Sequence, residues 1–323
     1  MIVDLNQPYY PYDKFISDAK SLAEQYNTIL QYVTIGTSHD NRDIVLLKLG
    51  IGKQYMVCCS GVHARETVNP MVLLAIIEYY ADLYANYKQQ KIDLKSKLYD
   101  DKQYYMEEYG QMLYGACINE LLQTFTILFV PMLNPDGYMI ALDGFEAIRD
   151  LKLREQCRTM GIDAKVWKYN ARGVDINRNF PCRLWKPKND KDYAASEQET
   201  QALVYLFHEY RTRGFLDFHS RGRQIYYYRS MLTDSYNNRQ LAIAKRLKKV
   251  TGYILMPPEE EIEAGDTGGN TVHYYSERFH KPALTIETVD EAAAFPLDIS
   301  HRISTFKELK LVIFIFGSMI MGI

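Results

Sequence analysis

The sequence predicts an α/β fold: a single domain over residues 1–323 with a mixed, mostly parallel twisted sheet flanked by helices. Three observations predict it. Apolar runs of strand length alternate with segments whose apolar residues recur at helical spacing, the pattern of strands joined by crossover helices. No repeat period and no Pro/Ser-rich linker divides the chain, although 323 residues could also hold two smaller domains. The His and Glu residues with most chemical promise stand at or just past the C-terminal ends of predicted strands, where open α/β sheets place ligands.

Asp13 to Tyr26 carries Phe15, Ile16, Ala19, Leu22 and Ala23 at helical spacing and predicts an opening amphipathic helix. Ile29 to Ile35 and Asp43 to Leu49 are aliphatic runs around the polar turn Ser38-His39-Asp40-Asn41, a hairpin pattern. Tyr55 to Cys59 reads as a buried strand, and Pro70 to Tyr87 as a helix whose proline suits its first turn. Residues 88–114 read as a surface insertion, its Lys88 to Asp101 charges a solvated face. Phe125 to Val130 is a central strand leading into Asn134-Pro135-Asp136-Gly137-Tyr138, a turn by composition. Gly144 to Ala164 is mixed helix and loop. Ser196-Glu197-Gln198-Glu199 has the capping-box pattern and opens a helix to about Tyr210. A strand to His219, another over Gln224 to Tyr228, a basic-faced helix over Asn237 to Thr251 and a late strand over Ala283 to Glu287 follow. Ser304 onward reads as a last helix packed on the core.

Composition narrows the function. A formal charge of −2 gives no global basic field, so no nucleic-acid partner is expected. The apolar stretch Leu311 to Ile323 falls short of the roughly 20 residues a spanning helix needs, so no membrane span is expected. Five cysteines, odd in number and without C-x-x-C spacing, suggest free thiols in a reducing compartment. The N-terminus shows no basic region followed by an apolar core, which completes the expectation of a cytoplasmic protein.

Chemistry concentrates at Gly61-Val62-His63-Ala64-Arg65-Glu66, in the turn after a strand. His63 and Glu66, three apart, can reach one ion. Catalytic zinc usually takes three protein ligands and leaves a fourth position open, so a third ligand must come from elsewhere. His219 at the end of an apolar run is the best candidate, and Glu287 is the best nearby base. Taken alone, His219 would be read as a hydrogen-bonded core histidine and Glu287 as half of a structural ion pair. The loop from Ala171 to Pro181 is dense in amides and guanidinium groups, which are costly to bury without partners.

These residues, taken together, resemble the zinc carboxypeptidases, the M14 metallopeptidases. The matching motifs are His63-x-x-Glu66, Asn134-Pro135-Asp136-Gly137, Asp175-x-Asn177-Arg178-Asn179, His219-Ser220, Gly268-Gly269 and Thr285-Ile286-Glu287, in family order over nearly the whole chain. Trp167-Lys168-x-Asn170-x-Arg172-Gly173-Val174-Asp175, Asp217-Phe218-His219-Ser220 and Gly265-Asp266-x-Gly268-Gly269 resemble the bacterial branch that includes γ-D-glutamyl-diaminopimelate peptidases. The resemblance implies one Zn²⁺ held by His63, Glu66 and His219, with Asp175 accepting the second ring N–H of His63. It implies Glu287 as general base and then acid, and Asn177 and Arg178 as the grip on a substrate carboxylate. Thr271 falls where the family places its main specificity residue.

Two positions depart from the animal enzymes. Lys168 stands where they carry an arginine that stabilises the oxyanion, leaving Lys168 or Arg172 for that task, and Ala264 stands where they carry a mobile tyrosine. Tyr274 and Tyr275 read as pocket wall. His39, His208, His273, His280 and His301 read as surface or capping residues, and Glu259-Glu260-Glu261 as a solvated loop. The resulting expectation is a peptidase acting on a peptide substrate, a murein stem peptide, at an amide bond beside a carboxylate-bearing residue. Its rivals are a general metallocarboxypeptidase for L-peptides, an inactive peptide-binding module, and an amidase acting on a non-peptide amide.

Overall fold

Helix α1 (Tyr12–Gln25) buries Phe15, Ala19 and Leu22, the stripe its spacing predicts. The protein's structure, a computed structural model, describes residues 1–96, 114–262 and 268–321, without the side chains of 88–96. Strands β1 (Leu30–Thr37) and β2 (Asp43–Leu49) form the expected antiparallel hairpin. Then come β3 (Gln54–Ser60), α2 (Val68–Ser96), α3 (114–124) and β4 (Phe125–Val130). The middle of the chain holds α4 (Pro135–Asp143), α5 (Leu151–Thr159), α6 (Gln198–Glu209), β5 (Thr212–Ser220) and β6 (Gln224–Tyr226). Helix α7 (Asp234–Thr251), β7 (Ile254–Leu255), α8 (Thr271–Phe279), β8 (Ala283–Thr288), α9 (His301–Leu309) and α10 (Val312–Ile320) complete it.

The sheet has eight strands in the order β1-β2-β4-β3-β5-β8-β6-β7. Its centre is parallel, through β4–β3, β3–β5 and β5–β8, and β6–β7 is parallel as well. The β1–β2, β2–β4 and β6–β8 pairs are antiparallel, so the sheet is mixed and mostly parallel as expected. Helices cover both faces, which is why the central strands are continuous apolar runs. Met56, Ile127, Leu216 and Leu284 join one core with α2, α7 and α10, whereas Val57, Leu128, Phe215 and Ala283 join another with α6 and α8.

Local readings differ from the structure where one residue type serves two purposes. Asn134-Pro135 opens a helix: Asn134 accepts from Gly137 N at 2.9 Å as N-cap, and Pro135 takes the first turn. The Ser196 hydroxyl turns to Glu197 and Asn179 at 2.7 and 2.8 Å, so the capping box does not form and α6 starts at Gln198 without a side-chain cap. Helix α2 runs on to Ser96, into the expected insertion, whose residues 97–113 lie outside the described ones. Helices α3 and α8 were not expected. Strand β6 stops at Tyr226, two residues early. The single last helix expected from Ser304 onward is two, α9 and then α10 in the apolar stretch; α10 buries Phe316 and Ile320, and Gly214 of β5 leaves the space that Phe316 fills. Among the described residues no helix is long and apolar enough to cross a membrane.

Candidate metal centre

Parallel pairing delivers the two histidines to one edge of the sheet. After β3 the chain turns at Gly61, whose φ of +65° favours glycine. Its carbonyl accepts Asn134 N at 2.9 Å, and the Asn134 side chain donates to the Val62 carbonyl at 3.2 Å. His63 and Glu66 follow before α2 begins. On the neighbouring strand β5, His219 sits in register with Glu287 on β8, so both side chains emerge on the same face. Asn69 and Thr288 bond the His219 carbonyl at 2.8 and 3.0 Å and hold the end of β5 in place.

The result is a compact donor set. His63 Nδ1 lies 2.7 Å from Glu66 Oε1, His219 Nδ1 lies 3.2 Å from Glu66 Oε2, and the two Nδ1 atoms are 3.3 Å apart. Ligand atoms around a tetrahedral zinc with bonds of about 2.0–2.1 Å stand roughly 3.3 Å apart, so spacing and donor types fit that ion. Among the described residues no donor is aligned for a hydrogen bond to Glu66 Oε2, although it is buried. The electrostatics also call for a cation. Burial opposes charge on His63, but Glu66 and Asp175 outweigh it and push the imidazole up to about 9. Burial likewise opposes charge on His219, which Asp217 and Glu66 overcome. Burial raises Glu66, and the two histidines outweigh it and bring the carboxyl down to about 2.

Carboxylates stand behind both rings. Asp175 Oδ1 is 3.4 Å from His63 Nε2, the partner that the motif implies. Asp217 Oδ2 is 3.0 Å from His219 Nε2, a partner missed in the sequence. The signal was present: Asp217 precedes His219 by two on one strand, the spacing that puts side chains on one face. Such carboxylates orient histidine ligands and raise their basicity.

The other expected site residues are placed as follows. Glu287 is half-buried beside His219, and desolvation first, then Glu66, raises its carboxyl to about 8. It lines a cleft of about 100 Å³ with Asn177, Arg178, Tyr226, Arg229 and Glu261. Asn177 Oδ1 accepts Thr271 N at 3.2 Å, and Arg178 Nη1 donates to the Asn177 carbonyl at 2.9 Å. Gly269, at φ +87°, lets α8 approach this loop; a Cβ there would meet the Arg178 carbonyl carbon at 2.7 Å. Thr271 is buried and gives its hydroxyl to Asp217, and the cleft is lined there by Asn270 and Val272 instead. Lys168 Nζ is 2.7 Å from Asp175 Oδ2, and Arg172 Nη1 is 3.4 Å from Glu197 Oε1. Both cations considered for the oxyanion therefore brace carboxylates. Ala264 and the Gly265-Asp266 pair lie outside the described residues.

Tyr274 and Tyr275 bond His208 and Thr212 at 2.9 and 2.7 Å and belong to the core behind the cleft. Two histidines depart from a surface reading: His273 Nε2 meets Glu261 at 3.0 Å, and His39 Nε2 meets Glu197 at 3.1 Å, both against largely buried carboxylates. The second of these includes Glu199, so three acceptors converge there as well. The Asn170 amide already fills that space, donating to Glu197 and Glu199 at 2.7 and 3.3 Å. Its Oδ1 accepts Arg172 N and Val174 N, which fixes the donor's direction.

Comparison with known proteins gives the same fold. The sequence pattern of the M14 peptidases, zinc carboxypeptidase, matches residues 16–305. A γ-D-glutamyl-L-diamino acid endopeptidase 1 of Lysinibacillus sphaericus is 24% identical over 96% of this chain and 72% of its own length. An inactive metallocarboxypeptidase ECM14 of Paracoccidioides brasiliensis (strain Pb03) is 26% identical over 68% of this chain; the match spans 34% of the fungal protein. Among solved structures, thrombin activatable fibrinolysis inhibitor superposes with a TM-score of 0.74 at 17% identity, covering 98% of this chain and 77% of that one. Carboxypeptidase A from Helicoverpa armigera gives 0.67 at 17% identity, covering 98% and 75%.

Proposed function

The chain belongs to the zinc carboxypeptidase family and is a zinc metallopeptidase; from that premise we propose that it hydrolyses γ-D-glutamyl-diamino acid bonds in murein stem peptides. His63, Glu66 and His219 are its zinc ligands, and residues 1–323 form one catalytic domain. The observation that carries the chemistry is the meeting of these three donors within 3.3 Å beside the half-buried Glu287. The substrate rests on similarity along 96% of the chain to a protein named for that cleavage. The five unpaired cysteines support a reducing compartment such as the cytoplasm.

Bound zinc lowers the pKa of its water to about 7 and polarises an adjacent carbonyl. Glu287 takes a proton at its carboxylate and gives it to the leaving nitrogen. Partial burial suits this task, because it raises the proton affinity of the carboxylate and so helps it accept the proton it later gives up. Arg178 and Asn177 orient a substrate carboxylate, for which a planar guanidinium is well shaped. Asp175 and Asp217 aim the two imidazoles, Lys168 balances Asp175, and Thr271 fixes Asp217 from behind.

Mass-spectrometric product analysis tests this. Zinc-loaded protein is given L-Ala-γ-D-Glu-diaminopimelate and a panel of ordinary L-peptides, with Glu287→Ala as control. The expected result is cleavage of the γ-D-glutamyl bond, lost in the variant. Trimming of the L-peptides alone would make the protein a general metallocarboxypeptidase, the activity for which several similar folds are named. No cleavage of either would refute the assignment of this substrate and favour the binding-module or other-amide readings.

A further inference from the structure

A buried cation lining the cleft has no ion-pair partner among the described residues. Arg229 follows β6, is 2% exposed, and lines the same cleft as Glu287. Its main chain is clamped by Asn237, which bonds its N–H and carbonyl at 2.9 Å each. The guanidinium donates to two carbonyls, Tyr228 and Ala283, and its Nε has no hydrogen-bond partner. Two acids lie nearby, and neither forms an ion pair with it among the described residues. Glu261 accepts His273 at 3.0 Å and Ser230 N at 2.9 Å, and Glu277 accepts Arg183 N through Oε2 at 2.8 Å. Carbonyl oxygens carry no full charge, so a buried guanidinium bonded only to them lacks a direct counter-ion, with Glu261 and Glu277 acting on it only at a distance.

The cleft leads to this cation. Thr285 and Glu287 face it from β8, Tyr226 opposes Thr285 on β6, and Arg229 reaches the Ala283 carbonyl where β8 begins. From Ala283 to Glu287 is four residues, about 13 Å of strand. The general base and the guanidinium thus line the same cleft at different points along β8, with Arg178 lining it as well. Glu260 and Glu261 line the same space and suit an ammonium.

We infer that Arg229 is a specificity residue that binds a second carboxylate, at the far end of the side chain on the leaving side of the cleaved bond. This rests on the proposed zinc peptidase site and deepens it. A diamino acid with a distal carboxylate meets Arg229, and its distal ammonium meets Glu260 and Glu261. A substrate without that carboxylate leaves the guanidinium desolvated and unpaired.

The test uses pairs that differ in that one group. With zinc-loaded protein, kcat/KM is measured for γ-D-Glu-meso-diaminopimelate against γ-D-Glu-L-Lys, and for L-peptides ending in Glu against the same peptides ending in Gln. A charged hydrogen bond of about 1.5–3 kcal/mol gives roughly a 10- to 100-fold preference for the carboxylate member. Arg229→Gln collapses the ratio by lowering the carboxylate member, and Arg229→Lys restores part of it. Calorimetry of free diaminopimelate against free lysine reads the same contrast without turnover and without a variant. Equal wild-type rates within each pair, equal affinities in the calorimeter, or an Arg229→Gln variant that lowers both members equally would overturn the inference. Cleavage confined to L-peptides would end the murein reading, while a Glu-over-Gln preference lost in Arg229→Gln would still support Arg229.

Discussion

Replacing Glu199 with Gln should stabilise the protein at pH 8 and leave it nearly unchanged at pH 4.5. Glu199 is buried, and burial first, then Asp136 and Glu197, raises its carboxyl from 4.5 to about 7 against the opposing pull of His39. Its Oε1 has no hydrogen-bond partner, so nothing in the described structure compensates a charge on that atom. The unfolded chain loses this proton near pH 4.5, whereas the folded chain keeps it to about 7. The folded state thus binds more protons in that window, and the contribution to stability is full below 4.5 and lost as pH rises through 7. At about 1.4 kcal/mol per pH unit the loss is roughly 3 kcal/mol. Gln is neutral at every pH and can keep the Asn170 contact through its carbonyl oxygen. For a chain of this size 3 kcal/mol corresponds to about 4 °C in Tm, read by thermal denaturation of both proteins from pH 4.5 to 8. A Tm difference that does not change with pH would refute the reasoning, since it would mean that Glu199 holds no proton that the unfolded chain lacks.

Asp217→Asn should weaken zinc binding about 10- to 100-fold, measured by competition with a chromogenic chelator, because His219 loses the carboxylate 3.0 Å from its Nε2. Thr271→Val, which removes only the hydroxyl on Asp217, should give a smaller loss in the same assay. Gly269→Ala should cost about 2–5 kcal/mol in urea unfolding, from the strained φ of +87° and from a Cβ 2.7 Å from the Arg178 backbone. Any folded fraction should show KM rising more than kcat falls, because the loop displaced carries the carboxylate grip.

Legibility in the sequence followed the range over which each signal acts. A continuous apolar run reports burial on two sides, so β3, β4, β5 and β8 could be read directly, and their ends pointed to His63, His219 and Glu287. Signals that serve two structures misled. Asn-Pro-Asp-Gly suits a turn, yet the same asparagine and proline make a good N-cap and first helical residue. Ser196 has the sequence of a cap but finds better partners in Asn179 and Glu197, which belong to the site's own scaffold. Helix α8 was missed because its buried face carries Thr271, His273, Tyr274 and Tyr275, whose polar tips meet partners that only the fold supplies. Lys168 and Arg172 looked available for substrate because the carboxylates that hold them, Asp175 and Glu197, come from elsewhere in the chain.

The same reasoning separates the catalytic site from its specificity. Zinc ligands and a general base must converge, and convergence demands strand ends and turns of recognisable sequence. Specificity in this cleft depends instead on what a buried charge lacks. Arg229 on its own is one of many arginines, and nothing near it in the chain marks it. Its meaning comes from Asn237, which pins its backbone, and from Glu261 and Glu277, neither of which pairs directly with it and each of which accepts another donor. A missing counter-ion can be seen only when every neighbour's bonds are known, so it has no sequence signature. The chemistry of the bond broken is therefore legible in the chain, while the identity of the residue released is decided by a guanidinium whose partner is the substrate itself.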